Sequence, residues 1–513
     1  MSDEWRAAFW RIAFWLQQEL TVCRNRPKSI VQREAGTAED AACSFVLSSL
    51  VGSVSVSTVT ESTSSEPFTD LFERVSLLLG DRQPGRASSA TVAGFVPRQP
   101  GSLREAGVSP AVVERIIMRF LLQAGSLAGR RIGSQLRLPF RLVEPMLRQL
   151  RNEKLIDLAG TTAAGDCEYL LTPTGRERAM QYVEECSYYG AAPVPLSDYT
   201  ASVAAQSPSL SNVSFEELRH AFRGLVVSED FVSRLGPAVN AGRGLFLYGR
   251  PGNGKTTIAE RLTEVFGSTI WIPRAVAIDT AVIRIFDPSV HVEIEDHDAP
   301  SGMQDSPDID RRWVLIRRPT VIAGGELTMR ELEIQINETS RVCEAPLQVK
   351  SNCGTLVIDD FGRQQMPVDQ LLNRWIIPLE KRYDFLNLPT GRKVKFPFDQ
   401  MIIFSTNCEP RDLVDEAFLR RIPYKIEVPD PTLNEFRQLF EMMCEQLRIP
   451  FDSQAFDYLI QTHYRPTGRS FRACQARDLL LQVRSYCSYF RMVPVMSREA
   501  IDSAAKSYFS VMP

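Results

Sequence analysis

Histidine is scarce in this chain: of 513 residues only His220, His291, His297 and His463 are histidines. Ten cysteines are scattered without a CxxC pair or a cysteine and histidine at metal-ligand spacing, which argues against a zinc site and for reduced thiols in a cytoplasmic protein. Long apolar runs are missing too. The longest weakly polar stretch, residues 41–60, is broken by serines and threonines and lacks the apolar density of a membrane span. Excess charge of one sign is also absent, since 59 Lys and Arg face 62 Asp and Glu for a net charge of −3, so no global field favours nucleic acid.

What is present divides along the chain. Residues 1–107 open on Trp5, Phe9, Trp10, Phe14 and Trp15, continue in Ser, Thr and Val, and pass through a polar stretch over 80–102. Such composition cannot build a core, so a mostly disordered, low-order segment is expected. The aromatics with Arg6 and Arg11 would suit a membrane surface or a partner, although they keep to no single helical face. Over residues 108–187 the periodicity predicts helices at 112–123, 128–137 and 140–153, the third with Leu142, Met146, Leu147 and Leu150 on its apolar side. Strands at 155–158 and 169–171 and a helix at 174–184 follow. This spacing resembles a winged-helix domain, including the ending Tyr169-Leu170-Leu171-Thr172-Pro173-Thr174-Gly175-Arg176. If that domain binds DNA, Arg141, Arg148 and Arg151 would meet phosphates and base edges; Glu144 and Glu153 dilute the positive face, and the same helices would equally serve protein contacts. Residues 188–213, rich in Pro, Ser and Ala, read as a linker.

The strongest motif is Gly249-Arg250-Pro251-Gly252-Asn253-Gly254-Lys255-Thr256, which satisfies every fixed position of G-x-x-x-x-G-K-[ST]. It follows the apolar run Leu245-Phe246-Leu247-Tyr248 and opens a helix at Thr257-Ile258-Ala259-Glu260-Arg261-Leu262, so it sits at a strand-to-helix turn. Glycines let successive backbone N–H groups approach phosphate oxygens that a Cβ would hold off. The expected nucleotide-binding residues are Gly249, Pro251, Gly252, Asn253, Gly254, Lys255, Thr256 and Thr257. Lys255 would bridge the β- and γ-phosphates of ATP, and Thr256 would give its hydroxyl to Mg²⁺ at the positive end of the helix dipole.

Hydrolysis needs more than a phosphate cradle. Gly354-Thr355-Leu356-Val357-Ile358-Asp359-Asp360 is an apolar strand ending in two carboxylates, where a parallel sheet presents ligands at its carboxyl edge. Asp359 would hold Mg²⁺ through water and Asp360 would polarise the attacking water. A second strand, Met401-Ile402-Ile403-Phe404-Ser405-Thr406, ends at Asn407, whose amide can bond the attacking water or the γ-phosphate. Arg420 and Arg421 close a predicted helix, a position from which an arginine reaches the adjacent subunit's nucleotide.

The order of these parts resembles the AAA+ ATPase superfamily over about residues 214–512, with Walker A at 249–256, Walker B at 356–360, sensor 1 at Asn407 and an arginine finger at Arg420 or Arg421. The resemblance implies an α/β fold: a P-loop AAA+ parallel-sheet core at 214–428 and a small helical lid at 429–513, preceded by the winged helix. The superfamily's Walker B ordinarily ends Asp-Glu; here it ends Asp359-Asp360, a shorter carboxylate that bears on rate more than on binding. Lid helices are expected at 434–445, 454–462 and 470–485, and the resemblance implies a second sensor at Arg472, with Arg469 as second choice. A hairpin over 384–396 with a Pro389-Thr390-Gly391 turn resembles the pre-sensor-1 insertion of the branch holding enhancer-binding activators, MoxR-type ATPases and magnesium chelatase; Arg392, Lys393 and Lys395 would then face a pore or partner. Gly325-Glu326-Leu327-Thr328-Met329 lies where enhancer-binding activators carry a Gly-Ala-Phe-Thr-Gly-Ala loop, yet its glycine and alanines are missing, which argues against such an activator. The run from Asn352 through Asp360-Phe361-Gly362-Arg363-Gln364 to Leu371-Leu372-Asn373-Arg374-Trp375 resembles bacterial AAA+ ATPases with predicted chaperone activity linked to Flp-type pilus assembly.

The leading expectation is therefore a cytoplasmic ring ATPase, a homo-oligomer and by resemblance a hexamer, that uses ATP and Mg²⁺ to remodel or assemble a protein complex with the winged helix as adaptor. Two other readings stay open. One is a DNA-binding regulatory or DNA-processing AAA+ ATPase, with DNA as a partner of the winged helix. The other is a nucleotide-dependent scaffold with little turnover.

Overall fold

The computed structural model describes residues 95–163, 165–279, 281–294, 309–414 and 416–510; the expectation for the aromatic start and the low-order segment up to residue 94 lies outside them. The chain is mixed α/β around a five-stranded sheet of β1 (Leu245–Tyr248), β2 (Thr320–Ala323), β3 (Thr355–Ile358), β4 (Met401–Thr406) and β5 (Tyr424–Glu427). Their spatial order is β2-β3-β4-β1-β5, and every neighbouring pair is parallel. Strands in such a sheet are buried on both faces, which is why they read as continuous apolar runs rather than as alternating ones. Leu245, Leu247, Val357, Met401 and Ile403 point into one core with the helices Phe215–Ala221, Glu229–Ala241 and α1 (Lys255–Val265). Phe246, Leu356, Ile358, Ile402 and Phe404 point into the other, packed on Trp375 and Leu371 of the helix Val368–Lys381. Helices cover both faces of this parallel sheet, and β4 lies between β1 and β3. The carboxyl ends of three strands that are distant in sequence therefore stand side by side.

Ahead of the core come helices Pro110–Ala124, Gly129–Leu136 and Phe140–Asn152, the hairpin Ile156–Thr161 with Cys167–Leu171, and the helix Pro173–Glu185. A three-residue strand, Ser126–Ala128, completes an antiparallel three-stranded sheet by pairing with Cys167–Leu171. Three residues carry no periodicity, so this strand is not readable from the sequence. Residues 188–213, expected as a linker, hold a short strand Val194–Pro195 and a helix Leu196–Ala205. Tyr199 and Val203 of that helix are buried, and the Tyr199 hydroxyl donates to the Val349 carbonyl at 3.1 Å and accepts from Asn352 Nδ2 at 2.9 Å. Two apolar residues at i and i+4 among serines and alanines were too sparse a signal to read as a helix.

Mostly between α1 and β2, with short strands from before α1 and after β2, the chain folds a second β unit that sequence reading left unassigned. Thr269–Pro273 pairs antiparallel with Trp313–Arg317, and a mixed sheet runs Gln335–Ile336, Cys343–Glu344, Ala281–Arg284, Ala275–Ile278, Val194–Pro195. Its strands are two to five residues long, below the length at which period-two alternation can be distinguished from chance. A buried ion pair, Arg312 to Asp310 at 2.7 Å, anchors it; Arg312 also donates to the carbonyls of Ala106 and Pro193, tying in the preceding domain.

A polar cross-link near β3 joins His291, Asp287 and Lys350. His291 Nδ1 accepts from the Asp287 N–H at 3.0 Å, so its other nitrogen, Nε2, is the donor to the Lys350 carbonyl at 2.8 Å, and Lys350 Nζ bonds Asp287 at 2.6 Å. Burial lowers the pKa of His291 below the ordinary 6.5, against the opposing pull of its bond to Lys350. Burial also raises Asp287, but hydrogen bonds from Lys350 and Ser289 outweigh it and hold the carboxyl at about 2. Both groups are depressed in the folded state, so both stabilise above their unfolded pKa and lose that contribution as pH falls. The thermal unfolding midpoint should drop as pH is lowered from 6.5 and, for Asp287, again between 3.8 and about 2. His291→Gln should flatten the first slope in melts run across that range; an unchanged slope would assign it to other groups.

The carboxyl-terminal lid contains helices Leu433–Leu447, Ser453–Leu459, Ala473–Tyr489 and Arg498–Phe509 around one apolar core. The fourth helix adds to the three expected.

Candidate nucleotide site

The loop at 249–254 leaves the carboxyl end of β1 and enters α1. Two of its glycines are required by a positive φ and by the close approach of other parts of the chain. At Gly249, φ +140, a Cβ would lie 2.4 Å from the Val428 carbonyl oxygen, and at Gly252, φ +88, it would lie 2.4 Å from Cys474 Sγ. The N-cap of α1 is Gly254 in left-handed conformation, so no side chain caps the helix start and its first amides keep their donors. Lys255 is buried, and its ammonium donates to the carbonyls of Gly249 at 2.9 Å and Arg250 at 3.1 Å and to Asn407 Oδ1 at 2.8 Å. Burial lowers its pKa below the ordinary lysine value, with Asp359 and Asp360 pulling the other way.

The carboxylates stand beside it. Thr256 Oγ1 donates to Asp359 Oδ2 at 2.8 Å, and Asn407 Nδ2 donates to Asp360 Oδ1 at 2.9 Å. Asp360 takes a left-handed backbone, φ +48, and Gln364 Nε2 donates to the carbonyls of Asp359 and Asp360 at 3.0 and 3.2 Å. Lys255, Thr256, Asp359, Asp360 and Asn407 thus form one hydrogen-bonded chain across three strand ends. A hydroxyl beside a carboxylate, hard oxygen donors at a phosphate loop, fits Mg²⁺.

The lid closes over the same loop. Asn253 Nδ2 donates to Asp430 Oδ1 at 2.8 Å and to the Pro429 carbonyl at 3.3 Å, while its Oδ1 accepts from the Ala473 N–H. The Cys474 N–H donates to the Gly252 carbonyl at 2.8 Å, and Arg250 bonds Ser470 Oγ at 2.8 Å. Arg472, the N-cap of the helix Ala473–Tyr489, has its Cβ 3.9 Å from the place a Gly252 Cβ would take, whereas Arg469 lies over the Phe509 ring at 4.2 Å and bonds the His463 carbonyl. Pro251 and Thr257 are exposed, at the loop tip and on α1. Pro429-Asp430-Pro431 was legible as a boundary, but the pairing of Asp430 with Asn253 was not, because 177 residues separate them.

Arg420 and Arg421 are elsewhere. With Arg243, Arg382, Leu379 and Glu380 they line a cleft of about 480 Å³. Arg243 precedes β1 and Arg421 precedes β5, so this cleft borders the amino edge of a parallel sheet whose carboxyl edge carries the loop. Four strand residues span about 13 Å. Arg421 Nε donates to Glu380 at 2.8 Å, whereas the Arg420 side chain is 82% exposed with Glu416 at 3.8 Å. Arg243 and Arg382 were not singled out from sequence; only the fold brings them beside Arg420.

The hairpin is real, Tyr383–Asn387 paired with Lys393–Pro397, but one face is covered: Leu386, Val394 and Phe396 are buried in the second β unit. Arg392 is paired with Asp279 and Lys395 lies 4.0 Å over the Tyr383 ring; Lys393 is exposed. Among the described residues no helix is long and apolar enough to cross a membrane.

Residues 432–507, the lid, match the family described as a domain of unknown function, DUF8689. No curated protein matches the chain. Among solved structures, the RuvB Holliday junction branch migration motor of Thermotoga maritima is similar at 13% identity, covering 55% of this chain and 69% of its own, with a TM-score of 0.31. NtrX from Brucella abortus is similar at 13% identity over 67% of this chain and 64% of its own, TM-score 0.35, and NtrX in complex with ADP at 14% over 57% and 54%, TM-score 0.32.

Proposed function

We propose that this chain is a Mg²⁺-dependent ATPase that works as a ring of identical subunits, taken as six, and remodels or assembles a protein complex. The observation that carries this reading is the opposition of two half-sites. The phosphate loop, carboxylates and Asn407 gather at one edge of the sheet, and an exposed Arg420 stands at the other, about 13 Å away, beyond the reach of a side chain to its own loop. An arginine so placed supports completion of another copy's site.

In this reading Lys255 and the loop amides bind the β- and γ-phosphates, and Arg472 meets the γ-phosphate from the lid. Thr256 and Asp359 would hold Mg²⁺, which neutralises charge on the phosphate oxygens. Asp360, oriented by Asn407, takes the proton of the attacking water. Asp360→Asn should leave ATP affinity near wild type and lower turnover by about 10²- to 10⁴-fold, the usual worth of a general base; wild-type turnover in this variant would remove Asp360 from the role.

The domain at 108–187 is assigned as adaptor for a protein partner, in keeping with the narrower resemblance to pilus-linked ATPases. Its third helix carries Arg141 and Arg151 with an Arg148 bonded to Glu144 at 2.7 Å, so one of its three arginines is already neutralised within the helix. Particle sizing with and without ATP, alongside an ATPase assay with and without duplex DNA, tests the whole reading. ATP-dependent assembly with turnover unaffected by DNA supports it, and a monomer at all nucleotide concentrations sinks it.

A further inference from the structure

A second cleft, about 690 Å³, opens where the helix Pro110–Ala124, the second β unit and the hairpin turn at Pro389 meet, far in the chain from the phosphate loop. Val112, Ile116, Val282 and Ile336 supply an apolar wall, and Ile336 is left 38% exposed. Arg119 lies in that wall and is only 5% exposed. It donates from Nε to the Tyr182 carbonyl at 2.9 Å and from Nη1 to the Tyr188 carbonyl at 3.3 Å; among the described residues its Nη2 has no hydrogen bond and the guanidinium has no carboxylate within ion-pair distance. Burial lowers the pKa of this group below the ordinary arginine value. A buried cation without a counter-ion is costly, and structures retain one chiefly where something neutralises it.

We propose that this cleft binds a small molecule with an apolar body and a single carboxylate, the carboxylate meeting Arg119. The volume is in the range of small-molecule sites, which are mostly apolar with a few fixed polar groups. The charges select a monoanion. Arg115 is paired with Glu185 at 2.7 Å and Arg341 and Glu338 face the same cleft with opposite signs, so among the described lining residues the balance is one positive charge, that of the buried Arg119. Guanidinium is suited to carboxylate because its planar donors match two oxygens.

The test is calorimetric titration of the full chain with decanoate and, separately, decanol. The expected result is saturable binding of one decanoate per chain, with decanol at least about tenfold weaker, since a charge-assisted hydrogen bond is worth about 1.5–3 kcal/mol. Arg119→Met should lose that discrimination, and Ala281→Phe, which adds a ring to the cleft lining, should abolish decanoate binding. No saturable decanoate binding to the wild-type chain, equal affinity for decanol, or wild-type binding by a folded Ala281→Phe chain each overturns the proposal. Should Arg119→Met fail to fold for want of its two carbonyl bonds, Ala281→Phe and the decanol comparison decide.

Discussion

Lys255→Ala is expected to weaken ATP binding by about ten- to a hundredfold in calorimetric titration, the worth of one charge-assisted hydrogen bond of about 1.5–3 kcal/mol. The argument is local. The ammonium is buried against the carbonyls of Gly249 and Arg250 and the Asn407 amide, so it is the single positive side chain held inside the loop by three oxygens. Removing it leaves those oxygens without their donor and the phosphates without their counter-charge. Asp359 and Asp360 would then face the triphosphate with the ammonium's share of the positive charge gone, which adds repulsion to the loss. Unchanged ATP affinity would reject the loop as the nucleotide site.

Arg420→Ala should lower turnover of the assembled protein by about 10³-fold or more while ATP binding persists, as is typical when an arginine finger is lost. Arg421→Ala should cost less. Its guanidinium is tied to Glu380 within the same chain, whereas Arg420 projects into solvent from the rim of a cleft that also holds Arg243 and Arg382. A mixing experiment separates action within a subunit from action between subunits. An Asp360→Asn chain keeps its Arg420 and an Arg420→Ala chain keeps its carboxylate, so mixing two inactive proteins should restore part of the activity. No recovery in mixed particles would place the arginine's action within one chain, or outside catalysis.

How much of this was legible beforehand depended on sequence distance. The strands β1, β3 and β4 were readable because a sheet buried on both faces needs unbroken apolar runs, and each run ends at the residue with the chemistry: Gly249, Asp359, Asn407. The helix ending near Tyr489 and the hairpin after Arg382 were readable from their periodicities and turn residues. By contrast the second β unit, the helix Leu196–Ala205 and the strand Ser126–Ala128 were hidden, because pieces of two to ten residues with small side chains take their structure from their neighbours. The covered face of the hairpin belongs with these, since Leu386, Val394 and Phe396 alternate in any exposed hairpin as well, and only the second β unit decides that they are buried.

The sequence by itself determined the chemical inventory: a phosphate loop with its lysine and threonine, two adjacent carboxylates, an amide and a pair of arginines, each attached to a named strand or helix end. It did so because a motif is a set of backbone and side-chain donors fixed within a few residues. The tertiary structure decided which of these meet. Parallel pairing with β4 between β1 and β3 brings Lys255, Asp359, Asp360 and Asn407 within hydrogen-bond reach, and the same parallel direction sends Arg420 to the opposite edge. The lid's seat on Gly252 and Asn253, and the unpaired charge of Arg119, arise likewise from contacts between residues far apart in the chain, where no spacing rule reaches.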